Sequence, residues 1–449
     1  MSDASVQPLS DVVSSVIEKA LATGADAADA VLIKRESSSV SVRGGETEDL
    51  NRAEARDLGL RVLIGQSQAI VSSSKFDEDE LNGLAERAVA MAKLAPADPN
   101  AGLAEAGQLA SDIPVLDLAD DADPTSDELL AMANEADAAG LAVAGVTAST
   151  GAGASASRTL IVLGASNGFS GHYQRTGYGV SAAMIGGDGT SMERDYDYSS
   201  KVHFADLAAP QEIGRNAGER VVKRLNARKV SSQAVPVVFD QRIAGSLVGH
   251  LAGAVNGAGV ARGTSFLKDQ LGEAVFAKGI SVVDDARLPR GHSSKPFDAE
   301  GLATGRLAII EDGQLKSWLL DLHSARQLGL PSTGHAGRSP SGPPSPGASN
   351  LNLMAGTASP QELMADISQG FLVCEMIGMG VNGTTGDYSR GAAGYWIENG
   401  EVAYPVSEIT IAGNLKDMFK SLSPANDLEI RGSVNAPTCR IEGMTIAGV

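Results

Sequence analysis

From Ala234 onward, turn residues cut the chain into short apolar runs, and that spacing leaves little choice of fold. The runs are LAIIEDGQLKSWLLD, GFLVCEMIGMG, AAGYWIENGEVAYP, SEITIAGN and APTCRIEGMTIAG. Asp312-Gly313 and Asn399-Gly400 lie between apolar residues, and such pairs form the two-residue turn that matches strand twist. The pattern predicts a C-terminal, largely antiparallel β domain with a few helices over residues 231–449. Inside it, PSTGHAGRSPSGPPSPGASN at 331–350 reads as a Ser/Pro/Gly loop, long enough to be functional or disordered.

The first half is patterned differently. Val12, Val13, Val16, Ile17 and Leu21 make one helical stripe over 8–23. Residues 30–43 alternate as a strand, and LGLRVLIGQSQAIVSS at 58–73 is a hairpin turning near Gly65-Gln66. Leu81, Leu84, Ala88, Val89, Met91 and Ala92 recur at helical spacing over 77–94. These elements predict an N-terminal α/β unit at 1–95. An Ala/Asp/Pro/Gly-rich linker follows at 96–125. A middle antiparallel meander fills 126–230: a helix at 127–138, strands at 141–147, 158–163, 168–174 and 180–185, and a closing helix at 215–225. The fold class is therefore α+β in three units, as a length of 449 residues requires. There is no internal repeat.

Charge and composition exclude some classes of function. The formal net charge is −19 with no long basic patch, so a phosphate backbone is repelled and nucleic-acid binding is not expected. No apolar run reaches the roughly 18 residues that span a bilayer. The segment MSDASVQPLSDVV has neither a basic nor an apolar stretch of a signal peptide. Two cysteines, Cys374 and Cys439, are too few for a disulfide framework and read as packed hydrophobes. A reducing cytoplasm is the expected compartment.

Two motif matches dissolve in context. Gly164-Ala165-Ser166-Asn167-Gly168 fits the nucleophile elbow, which needs a helix after it. Here Asn167-Gly168 is a hairpin turn followed by the strand-like FSGHYQRTGYGVSAAMI. Gly378-Met379-Gly380-Val381-Asn382-Gly383 fits the dinucleotide fingerprint, but no helix follows to meet a pyrophosphate. The six histidines are scattered, the closest pair being His323 and His335, and no two share adjacent turns of a helix. A catalytic zinc needs three protein ligands. His250, on the apolar face of Ile243, Leu247, Leu251 and Ala254, reads as a packed or interface residue. The cluster Thr384-Thr385-Gly386-Asp387-Tyr388-Ser389-Arg390-Gly391 is either a solvated turn or a surface gripping an extended peptide or a partner subunit.

The most specific block is VVFDQRIAGSLVGHLAGAVNGAGVARGTSFLKD at 237–269. A strand runs into Asp240, a helix N-cap. A small-residue helix and the exit Arg262-Gly263-Thr264-Ser265 follow. Gly249, Ala252, Gly253 and Ala254 are expected to let another backbone approach closely, so a bulky residue at Gly253 is expected to disturb the fold or a dimer.

This block resembles the TldD/PmbA peptidase family. So do GLRVLIGQSQAIVSSSKFDEDELNGLAERAVAMAK, IIEDGQLKSWLLDLHSARQLGLPSTGHAGR and GDYSRGAAGYWIENGE, the last characteristic of the PmbA (TldE) type. Catalytic members carry His-Glu-x-x-x-His on the helix, at positions that fall on Val248, Gly249 and Gly253 here. They also carry a Cys ligand that falls within Leu428 to Arg431. Neither motif is present. The resemblance implies the non-zinc subunit of a heterodimeric metalloprotease that cleaves unfolded peptides, with zinc only in a TldD-type partner. It implies no catalytic residue and no metal or other cofactor in this chain. Arg262, Thr264, Asp387, Ser389 and Arg390 are the candidate peptide-binding residues, facing an internal channel. The alternatives are a homodimeric peptide-binding or scaffold protein without protease activity, and an enzyme of another class using the Gly-rich loops.

Overall fold

The computed structural model describes residues 3–449. Met1 and Ser2, part of the segment read for a leader, lie outside the described residues. The first half runs α1 (Asp3–Ala22), β1 (Ala27–Arg43), β2 (Glu46–Ile64), β3 (Ser67–Ser73) and α2 (Glu78–Leu94). It continues with α3 (Ser126–Leu141), β4 (Val146–Ala165), β5 (Ser170–Gly186), β6 (Glu193–Lys201) and α4 (Pro210–Lys223). Its strands form one antiparallel sheet in the order β3-β2-β1-β4-β5-β6. Val31 sits opposite Gly59 on one side and Leu163 on the other. The N-terminal and middle units thus share a single sheet.

Period-two alternation assigns the faces. Ala28, Ala30, Leu32, Leu160 and Val162 pack under α1 and α2. Farther along the same face, Val40, Val42, Ala152, Ala154, Val180 and Ala182 pack under α3 and α4. The opposite face carries Val31 and Leu163, which meet Phe169 and Phe297. Phe297 belongs to the C-terminal half, which therefore covers the side of the sheet that the helices leave open.

The sheet departs from its sequence signal in three places. β4 and β5 are each one long strand, where shorter ones at 141–147, 158–163, 168–174 and 180–185 are expected. The break between 147 and 158 falls at Ala152 and Ala154, small residues that pack under the helices, and the one between 174 and 180 holds buried Thr176 and Tyr178. β2 begins at Glu46, and its first twelve residues are all exposed, so no burial pattern marks them. β6, ERDYDYSSK, buries Asp195, Asp197 and Ser199 in place of apolar side chains. The connecting segment 96–125 is held against both halves. Arg326 donates to the carbonyls of Asn100 (3.0 Å) and Leu103 (2.7 Å), and Asn167 to that of Ala104 (3.0 Å).

The second half opens with β7 (Gln233–Phe239), α5 (Gln241–Ala254) and α6 (Gly257–Ala261). β7 pairs in parallel with the strand Gln369–Ile377 and antiparallel with Cys439–Ala447. Gln369–Ile377, Asp387–Glu398 and Glu401–Asn414 form a meander. Glu401–Asn414 also pairs with Cys439–Ala447, which closes these strands into a small barrel. A barrel has no free edge. A second, smaller sheet contains Val282–Asp285, Arg306–Glu311 and Leu351–Leu353. Cys374 and Cys439 are both free and buried, and burial pushes both thiols up. No helix among the described residues is long and apolar enough to cross a membrane.

The 331–350 loop is tied into the molecule. Buried His335 meets Asp284 at 3.2 Å. Arg338 reaches the first sheet, where it pairs with buried Asp29, and Arg61 Nε donates to the same carboxylate at 3.0 Å. Burial alone would raise the pKa of Asp29. The two guanidinium groups outweigh it and hold the carboxyl below its usual range.

Candidate functional site

The site is built on α5. Asp240 caps the helix, its side chain accepting from Arg242 N at 2.9 Å. Ala244, Leu247, Val248, Leu251 and Ala254 face the core. Gly249 and Gly253, one turn apart, face outward. A Cβ on either would meet nothing within 4 Å. The expected close approach at Gly253 is therefore absent: the small residues open a space and do not admit a backbone. The space is a cavity of about 560 Å³. Its floor is Gly249, His250 and Gly253, and across it stand Phe266, Met379 and Arg390.

Two segments singled out in the sequence meet here. The exit of α6 turns at Gly263, which has φ +73°. Thr264 Oγ1 donates back to Gly259 O at 3.1 Å. Thr384 Oγ1 donates to Thr264 O at 3.3 Å, and Phe266 N to Gly383 O at 3.0 Å. The loop 378–386 is shaped by Asn382, whose side chain accepts from Thr384 N at 2.9 Å. Ser389 N closes the loop on Gly380 O at 2.7 Å.

Of the five candidate residues, Arg262, Thr264 and Arg390 line the cavity; Asp387 and Ser389 do not. The reason is strand geometry. Tyr388 and Arg390 point to one side of their strand, and Asp387 and Ser389 to the other. Asp387 instead ties down the loop, accepting from Thr385 Oγ1 (2.6 Å) and Asn414 Nδ2 (3.1 Å). Asn256, Phe266, Met379, Val381 and Leu415 also line the cavity and were not marked by the sequence. Met379 is 87 % exposed, within the motif first dismissed as a dinucleotide loop.

His250 sits edge-on to buried Tyr388, ring centroids 5.8 Å apart, and its Nε2 is buried without a hydrogen-bond partner. Burial, and then the charge of Arg390, lower its pKa from 6.5. The unfolded chain therefore binds the proton first as pH falls below 6.5. Stability contributed by neutral His250 is present above that pH and is lost on acidification toward the lowered folded value. We expect His250→Gln to flatten the loss of stability between pH 7.5 and 5.5, read by denaturant unfolding at each pH. An unchanged slope would refute this.

The residues here do not fit a zinc ion. Val248 is only 3 % exposed and turned into the core, while Gly249 and Gly253 offer no donor atom. His250 is one ligand where a catalytic zinc takes three. Among the described residues no group of three His, Cys, Asp or Glu side chains is placed to hold a metal. The 428–431 segment lies elsewhere, with Arg431 paired to Asp197 at 2.9 Å.

These features define a class first: an α+β protein whose C-terminal barrel carries an open, helix-floored cavity. Sequence profiles identify the class. PmbA/TldA metallopeptidase domain 1 matches residues 28–92, the central domain 119–225 and the C-terminal domain 232–448. "Metalloprotease PmbA" of Escherichia coli O157:H7 is 37% identical over 443 residues, covering 98% of this chain and 96% of that protein. A "Metalloprotease PmbA homolog" of Haemophilus influenzae is also 37% identical, over 448 residues, with 98% and 96% covered. The chain belongs to the PmbA/TldD metallopeptidase family. Among solved structures, a candidate modulator of DNA gyrase from Bacteroides thetaiotaomicron superposes with a TM-score of 0.90 at 26% identity, covering 98% of each chain. TldE from Thermococcus kodakarensis shares the fold, with a TM-score of 0.86 at 20% identity over 97% of this chain and 100% of that one.

Proposed function

We propose that this chain is the non-zinc subunit of a heterodimeric TldD/PmbA-type metalloprotease that cleaves unfolded peptides, and that it acts in the cytoplasm. A TldD-type partner supplies the zinc, and this chain supplies a wall of the chamber and holds the peptide. One observation carries the reading. The helix that bears the metal motif in catalytic relatives here bears Gly249 and Gly253, facing an open cavity of about 560 Å³. Glycine within a helix costs about 1 kcal/mol against alanine. Leaving room for a ligand beside the helix backbone accounts for two of them on one face. The metalloprotease names of the relatives support the reaction class.

The test is metal content and cleavage of an unfolded peptide by the chain alone and after co-purification with a TldD-type subunit. We expect no stoichiometric zinc and no cleavage alone, and both in the complex. Arg390→Ala with Thr264→Ala should weaken turnover while the partner keeps its zinc. Stoichiometric zinc in the isolated chain, or turnover untouched by both substitutions, would overturn the proposal.

A further inference from the structure

We infer that the cavity beside α5 selects peptides by a carboxylate, which the Arg390 guanidinium grips while Arg262 adds a second positive charge; this rests on the proposed reading of the cavity as a peptide site. The lining contains Arg262, Arg390 and His250 and no Asp or Glu. That is unexpected in a chain with 55 acidic and 36 basic residues.

The cations here are also unpaired. No hydrogen bond or ion pair among the described residues holds either guanidinium, and Arg390 Nε is buried without a partner. Arg287 Nε, in this half of the fold, is likewise buried without a partner, whereas other arginines meet carboxylates. Arg242 meets Asp195 at 3.0 Å, and Arg224 meets Glu375 at 2.6 Å. A partly buried charge without a counter-ion is costly, and an arriving anion removes that cost. Asp387, three residues along from Thr384, faces the other side of its strand and is occupied by Thr385 and Asn414.

The chemistry of the anion follows from the donors. A planar guanidinium presents two parallel N–H groups, which match the two oxygens of a carboxylate. His250, kept neutral by burial and by Arg390, does not repel the cation beside it. The −19 charge of the whole chain disfavours long polyanions such as nucleic acid. A peptide carries carboxylates in two places, its C-terminus and its Asp or Glu side chains.

The experiment uses the full chain, alone and in complex with a TldD-type subunit, and short fluorescent unstructured peptides. One is neutral and C-terminally amidated. The second is identical but for one Glu, and the third has a free C-terminal carboxylate. At least one carboxylate peptide should bind about ten-fold tighter than the neutral one, as a hydrogen-bonded charge pair allows. The difference should shrink with added salt. Which of the two shows it identifies the source of the carboxylate. Arg390→Gln should abolish the preference, so that carboxylate and neutral peptides bind alike, and Arg390→Lys should restore only part of it. If Arg390→Gln does not fold, Arg262→Gln and competition by acetate against chloride at equal ionic strength replace it. Equal binding of all three peptides overturns the carboxylate assignment and leaves the peptide site standing. Stronger competition by inorganic phosphate than by acetate also overturns it. No binding of any peptide, alone or in complex, overturns both.

Discussion

Gly253→Leu in the proposed complex with a TldD-type subunit should cut peptide turnover about 100-fold, the scale of loss expected when a substrate is displaced by about an ångström. The chain itself should fold at least as well as before. A side chain at 253 enters open space, with no atom within 4 Å of its Cβ. It also replaces glycine in a helix by a residue of higher propensity, worth about 0.8 kcal/mol. Stability and function are therefore predicted to move in opposite directions, a combination that general damage does not produce. Thermal unfolding of the isolated variant and kcat/KM of the complex are the two readouts. A variant that misfolds would restore the close-packing expectation, and one with unimpaired turnover would remove the cavity from the peptide path.

Asp29→Asn should destabilise the chain by about 3–5 kcal/mol, the cost of breaking a buried ion pair from one side. Asp29 is the shared counter-ion of Arg61 on β2 and Arg338 in the 331–350 loop, and all three side chains are buried. Without it, two guanidinium groups face each other across the contact between the first sheet and the C-terminal half. Adding Arg338→Met should recover much of the loss, because one of the stranded charges is then gone. Denaturant titrations of the single and double variants give the comparison. A loss below about 1 kcal/mol, as for an exposed pair, would show that the contact does not hold the halves together.

Much of this architecture could be read from the residues, and the failures share a cause. Asp240 as a helix cap, the turn at Gly65-Gln66 and the Asn399-Gly400 hairpin follow from local chemistry, and each is found in place. The Glu46–Asp57 half of β2 could not be read because neither of its faces is buried. β6 could not because its inward side chains are carboxylates satisfied by arginines from α4, α5 and the 431 region. At the site, Arg262, Thr264 and Arg390 were legible as reactive types near glycines. Strand parity removes Asp387 and Ser389, and it needs the strand's start to be known. Gly249 and Gly253 carried the plainest overlooked signal. Two glycines one turn apart, on a helix face that Leu247 and Leu251 do not use, point to empty space as readily as to contact.

The closure of the C-terminal barrel bears on how the molecule is made. β7 lies between Gln369–Ile377 and Cys439–Ala447, so both of its neighbours leave the ribosome long after it does. At a synthesis rate of about 5–20 residues per second, β7 waits on the order of ten seconds or more with both edges bare. α5 and its glycine face can form meanwhile, but Arg390 is fixed only when its strand is paired. If the cavity holds peptide as proposed, capture would wait until the strands flanking Arg390, at 369–377 and 401–414, have been made.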